Sequence, residues 1–200
     1  MISSLSNRIT KLLCEKEIIE PDKKDVYRYG YEIFISSLIS LLIVISVGIL
    51  TGYILESAVF YVVFVFTRQY CGGYHANTYL KCNAIFIIIY SAVLLVSNIL
   101  LDFYNIFYLV IFLTVYLSAI WEFAPIDNEN KRLSVDEKIK SRKISIALSF
   151  IWIILSLVLY FIYTKLSVVF TLTLFAVTML IVIEKLQRKQ FGNMSTPNLK

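Results

Sequence analysis

Six long apolar runs, almost free of Lys, Arg, Asp and Glu, constrain the fold of this chain more than any other feature. They extend from about Ile33 to Tyr53, Ser57 to Thr67, Ala84 to Leu101, Phe103 to Phe123, Ile144 to Tyr163, and Leu166 to Ile183. Crossing the hydrocarbon core of a bilayer takes about 20 helical residues at 1.5 Å each. Inside that core every backbone N–H and C=O must be satisfied by the chain itself, and a helix does so within each segment. The runs therefore predict an all-α, polytopic membrane protein with about six transmembrane segments. The second run is short unless Thr51 to Glu56 joins it, so a tilted, broken or partly re-entrant helix is expected there.

Composition agrees. Hydrophobic residues make up 58% and charged residues 16%, against about half and a quarter in soluble domains. A net charge of +5 raises the question of nucleic acid. However, the basic residues sit at the ends of apolar runs rather than along one face, as topology signals beside anionic lipid do. The lipid bilayer, and no nucleic acid, is the expected partner. The first residues show no apolar core with a small-residue cleavage site, so no secretory signal peptide is expected and the first span directs insertion.

Ile2, Leu5, Ile9, Leu12 and Leu13 recur at helical spacing with Arg8, Lys11 and Lys16 among them. Residues 1–19 thus read as an amphipathic helix, lying either on the membrane surface or on the domain's own cytoplasmic side. With six spans and the N-terminus inside, every basic residue except Lys165 falls on the cytoplasmic side, as the positive-inside rule demands. This gives an interfacial segment over 1–30, a transmembrane domain over 31–184 and a basic cytoplasmic tail over 185–200. Very short connections near Asp102 and Lys165 imply two tight helical hairpins.

One stretch gathers the chemistry: Arg68-Gln69-Tyr70-Cys71-Gly72-Gly73-Tyr74-His75-Ala76-Asn77-Thr78-Tyr79-Leu80-Lys81-Cys82. It holds the only histidine and two of the three cysteines. A thiol attacks a carbonyl as the thiolate, and a neighbouring imidazole is the usual activator. Any Cys–His dyad within one chain must use His75, with Cys82 or Cys71 as nucleophile; Cys14, in the amphipathic segment, is the weakest candidate. His75 and Cys82 are seven residues apart. On one straight helix that spacing is about 10.5 Å along the axis, too far for proton transfer over about 3 Å. A dyad with Cys82 therefore requires the chain to bend. Gly72-Gly73 offers a hinge, and Asn77 and Thr78 could re-cap the chain ahead of a helix beginning near Tyr79. Cys71 and His75 are four apart, yet the glycine pair between them disfavours a helix. Spacing alone leaves both cysteines open.

Blander readings stand beside these. His75 can be a hydrogen-bonding loop residue, the glycines a plain turn, and Arg68 an interface anchor. A zinc site of Cys71, His75 and Cys82 would lack a fourth ligand, so neither metal nor cofactor is expected. Glu122, at the end of a span where charge is costly, is placed to pair with Arg68 or orient His75. It opens a polar stretch that runs through Pro125 to Lys131 and Arg132.

Arg68, Gly72-Gly73-Tyr74-His75-Ala76 and Cys82 together resemble the accessory gene regulator protein B family, AgrB, the membrane peptidases of Gram-positive peptide quorum sensing. The resemblance extends to the length, the basic amphipathic N-terminal region, the multi-span layout and the Ala-Pro-x-Asp-x-x-Asn-Lys stretch from Ala124 to Lys131. It implies that His75 is the base and Cys82 the nucleophile. Arg68, Gln69, Gly72, Gly73, Glu122, Lys131 and Arg132 would then serve as substrate-binding or structural support. It further implies an AgrD-like precursor peptide as substrate, self-association as a homodimer, and a plasma-membrane location with both termini and the site cytoplasmic. The competing reading is a small peptide transporter or exporter, which predicts ionisable pairs at mid-membrane. Glu56, Glu122 and Asp102 all fall near span ends instead.

Overall fold

The computed structural model describes residues 2–74, 78–126 and 134–194, with side chains described as far as 187. Among these residues the chain is helical throughout, without strands: α1 (Ile2–Glu15), α2 (Lys24–Thr51), α3 (Ile54–Cys71), α4 (Tyr79–Leu100), α5 (Ile106–Phe123), α6 (Val135–Ile162) and α7 (Thr164–Met194). A short 3-10 turn at Pro21–Lys23 leads into α2. Helices α2 to α7 are the six expected spans, each long and apolar enough to cross a membrane. This is a multi-pass membrane protein preceded by a separate N-terminal helix.

Local chemistry sets the helix ends. Gly52, at φ 75°, closes α2 in the left-handed conformation. The Asn105 side chain accepts from the amides of Phe107 and Tyr108 to start α5. Ser134 and Glu137 form a capping box at α6, which satisfies amides the helix cannot. That box starts α6 nine residues before its apolar run, so its first turns are polar. The short second run does recruit Ile54 to Glu56: α3 is an unbroken helix of 18 residues, about 27 Å long.

α7 is the axis of the bundle, packed by α3, α4, α5 and α6. Val168, Val169, Leu174, Val177 and Ile181 are fully buried there, and so are Ser167 and Thr173. Small and hydroxyl-bearing residues let helices approach closely in a membrane. The hydroxyls of Thr171, Thr173 and Thr178 bond back to the carbonyls of Ser167, Val169 and Leu174. α2 is peripheral. Where α2 and α3 meet, a Cβ on Gly48 would stand 2.9 Å from Ser57 Oγ, and Ser57 bonds Tyr90 of α4 at 2.6 Å. α1 packs on α2 and buries Ser6 and Thr10, while Leu5 and Leu12 stay exposed. It docks on the protein and keeps apolar side chains outward, combining features of both readings of the segment.

The two tight hairpins are present. α4 and α5 are joined through 101–105, and only Tyr163 separates α6 from α7. At that end of the bundle Lys165, the one basic residue set apart by the sequence pattern, pairs with Glu56 at 2.9 Å and lies 4.0 Å from the centre of the Tyr53 ring.

Candidate functional site

The site lies at the opposite end of the bundle, where α3 stops. Cys71 ends the helix, and Gly72 follows at φ 76° with Gly73 at φ 132°, conformations that favour glycine. The backbone N–H of Ile126 donates to the Cys71 carbonyl at 3.0 Å. A Cβ on Gly72 would meet the Ile126 carbonyl oxygen at 2.3 Å. The Ala124–Ile126 stretch is itself held from α6: Arg142 donates to the carbonyls of Ala124 and Trp121 at 3.3 and 3.1 Å. The Ala124–Pro125 peptide is cis.

Beyond the glycines the chain runs against α7. Tyr74 N–H donates to the Leu180 carbonyl at 3.1 Å, and the Gly73 Cα faces Leu180 and Ile181. α4 then begins at Tyr79, capped by the Thr78 side chain, which accepts from the Lys81 amide. Helix thus stops at Cys71 and restarts at Tyr79, where the capping chemistry predicted. Tyr79 also donates to Glu32 Oε2 of α2 at 2.9 Å, and Ser36 donates to Asn83 at 2.8 Å. Together they fix the first turns of α4 to α2.

Arg68 joins these pieces. From the last turn of α3 its guanidinium lies over the Phe64 ring, donates to the Tyr74 carbonyl and comes within electrostatic range of the Cys82 thiol. Arg68 and Cys82, 14 positions apart in sequence, thus meet in space. Cys82 sits in the first turn of α4 and is partly exposed. The guanidinium and the N-terminal end of α4 are thus polar groups near that sulfur in the described site.

Cys71 is in a different environment. It is fully buried, beside the hydroxyl of Ser145 and near Tyr116. In the same region Tyr116 and Ser149 are bonded at 3.0 Å, and Trp152 donates to Thr67 at 2.9 Å. Cys14 is half-buried on α1.

The remaining sequence candidates are divided. Gln69 is exposed on the last turn of α3. Glu122 is also exposed and lines a groove of about 290 Å³ with Pro125, Lys138, Ile139 and Arg142. Glu184 of α7 lies in electrostatic range of Arg68. His75, Lys131 and Arg132 lie outside the described residues. Among the described residues no three His, Cys, Asp or Glu side chains stand together to hold a metal. Sequence reading passed over Glu184 because the last apolar run ends at Ile183. The rule that singled out Glu122, a charge at a span end, applies to Glu184 equally.

Six spans, with α7 buried at their centre, and an arginine and a cysteine brought together beyond a glycine pair define a multi-pass membrane protein with a polar site that contains a thiol. The chain belongs to the AgrB family, Accessory gene regulator B, whose model matches residues 6–183. An AgrB-like protein of Clostridium perfringens strain SM101 is 28% identical over 171 residues, covering 80% of this chain and 79% of that one. Protein FsrB of Enterococcus faecalis strain OG1RF is 31% identical over 84 residues, covering 39% and 35%. No solved structure matches the chain. The family makes it a quorum-sensing accessory protein of the membrane, in a family known generally for peptide processing.

Proposed function

We propose that this protein is a membrane-embedded cysteine endopeptidase that removes the C-terminal tail of an AgrD-like precursor, with Cys82 as nucleophile and His75 as base. The observation that carries the reading is the approach of Arg68 to Cys82 at the start of α4. It gives one cysteine, partly exposed and beside a cation, the surroundings expected of a reactive thiol. The buried, uncharged setting of Cys71 favours a packing role for that residue.

In the proposed cycle His75 accepts the Cys82 proton. The thiolate attacks the carbonyl carbon of the peptide bond before the tail, and the tetrahedral intermediate collapses as the tail's amine leaves with the proton from His75. A thioester then joins Cys82 to the shortened precursor. The precursor's own cysteine (or serine) attacks that thioester, releasing Cys82 and closing a thiolactone (or lactone). The second step of the thiolactone route exchanges one thioester for another and is nearly balanced. The first turns an amide into a thioester and is uphill, so removal of the tail must draw it forward. The guanidinium of Arg68 is a fixed donor that can stabilise the thiolate or the oxyanion, and low local polarity strengthens it. Shielding from water protects the thioester until cyclisation.

In this reading both termini and the site are cytoplasmic, and the protein self-associates. Lys131, Arg132, Lys138 and Lys140 draw in the acidic tail. Charge reversal at those four positions is then expected to slow cleavage, and unchanged cleavage removes them from the mechanism.

The test is co-expression with the adjacent precursor gene, following tail release by mass. Cys82→Ala and His75→Ala should each abolish release, and Cys71→Ala should not. Release by Cys82→Ala overturns the nucleophile assignment. Export of an uncleaved peptide favours a transporter instead.

A further inference from the structure

α7 is more than a scaffold for this site. In an α-helix the carbonyl of residue 180 is the acceptor for the amide of residue 184. Tyr74 N–H reaches α7 at that carbonyl, that of Leu180, at 3.1 Å. The loop therefore enters α7 on the turn that Glu184 completes. The carbonyl of the same Tyr74 accepts from Arg68 Nη2. Two backbone hydrogen bonds on one residue thus bring the Arg68 guanidinium and Glu184 to one turn of α7.

A guanidinium drawn away from water in this way requires a counter-charge. Among the described residues, two other carboxylates at this end are differently placed. Glu32 accepts from Tyr79, and Glu122 faces the groove with Lys138 and Arg142.

We propose that Glu184 is a positioning residue: its carboxylate is the counter-charge that holds the Arg68 guanidinium against the Cys82 thiol. This rests on the cysteine-peptidase reading above. Glu184 touches no reacting atom in the scheme. It acts through Arg68, fixing the direction from which the cation meets the sulfur or the oxyanion.

The experiment uses the full-length protein in membranes with its precursor, measuring tail release alongside alkylation of Cys82 by iodoacetamide, read by mass. Glu184→Gln should lower the release rate constant about tenfold or more at unchanged KM, the scale of loss when a catalytic group is misplaced. It should also change the rate of Cys82 alkylation. Glu184→Asp should restore most of both rates. Placed on top of Arg68→Gln, Glu184→Gln should add little, because a residue acting through Arg68 has nothing left to position.

Wild-type release and alkylation rates in Glu184→Gln would overturn the inference. So would losses that add fully to those of Arg68→Gln, or equal losses in the Gln and Asp variants with a lowered melting temperature, the pattern of a purely structural role. If Cys82→Ala retains tail release, the assignment of Cys82 as nucleophile fails first; alkylation of Cys82 still tests whether Glu184 governs the Arg68–Cys82 pair.

Discussion

The carbonyl oxygen of Ile126 stands 2.3 Å from where any Cβ on Gly72 would be. Two loops far apart in sequence are thereby pressed together at backbone distance, and the end of α3 is locked to the start of the α5–α6 connection. The glycine answers both to this contact and to its φ of 76°.

Gly72→Ala should therefore cost about 1–3 kcal/mol in backbone strain alone, with more from displacing Ile126. Tail release should fall together with thermal stability in detergent. Gly30→Ala is the control: nothing lies within 4 Å of a Cβ there, it sits inside α2, and the change should stabilise by up to about 1 kcal/mol. Equal behaviour of the two variants in a melting assay would refute the account of Gly72.

The Thr78 cap should prove a positioning element for Cys82. Thr78→Ala should cost about 1 kcal/mol of helix stability and loosen the first turn of α4, raising hydrogen exchange at the amides of Leu80, Lys81 and Cys82. Thr78→Ser and Thr78→Asp should retain protection. Unchanged exchange in Thr78→Ala would mean that the Tyr79–Glu32 bond holds the turn without the cap.

At the far end of the bundle, the Lys165–Glu56 pair is buried enough to be costly to break on one side only. Lys165→Met should destabilise by about 3–5 kcal/mol, because it strands a buried carboxylate. Lys165→Met combined with Glu56→Gln should recover much of that loss. Reversible unfolding in mixed micelles would measure both. A single variant as stable as wild type would show that water reaches Glu56.

Trp152 bonds Thr67 in the interior, joining α6 to α3. Trp152→Phe keeps the ring against Phe170 while removing the donor, and should cost about 0.6–1.5 kcal/mol, the range for hydrogen bonds between membrane helices. Thr67→Val should cost a similar amount, and the double variant little more than either. Fully additive losses would argue against this bond as the coupling.

Much of the architecture was legible because the bilayer simplifies the problem. Apolar runs of span length gave the six helices, and the basic residues between them gave a candidate orientation. The glycine pair and Thr78 gave the end of α3 and the restart of α4 near Tyr79. These are local properties, set by what a residue does to its own few neighbours along the chain.

What only the tertiary structure decided was which distant groups meet. Spacing could not separate Cys71 from Cys82; packing buries the first beside Ser145 and Tyr116 and sets the second against Arg68. Sequence offered Glu122 either to Arg68 or to His75; the structure adds Glu184 of α7 within electrostatic range of Arg68, because the Tyr74–Leu180 hydrogen bond docks the loop on that helix. Hydrophobicity and helix signals are written residue by residue along the chain. The Arg68–Cys82 contact depends on how α3, α4 and α7 pack in three dimensions, and no short stretch of sequence encodes that packing.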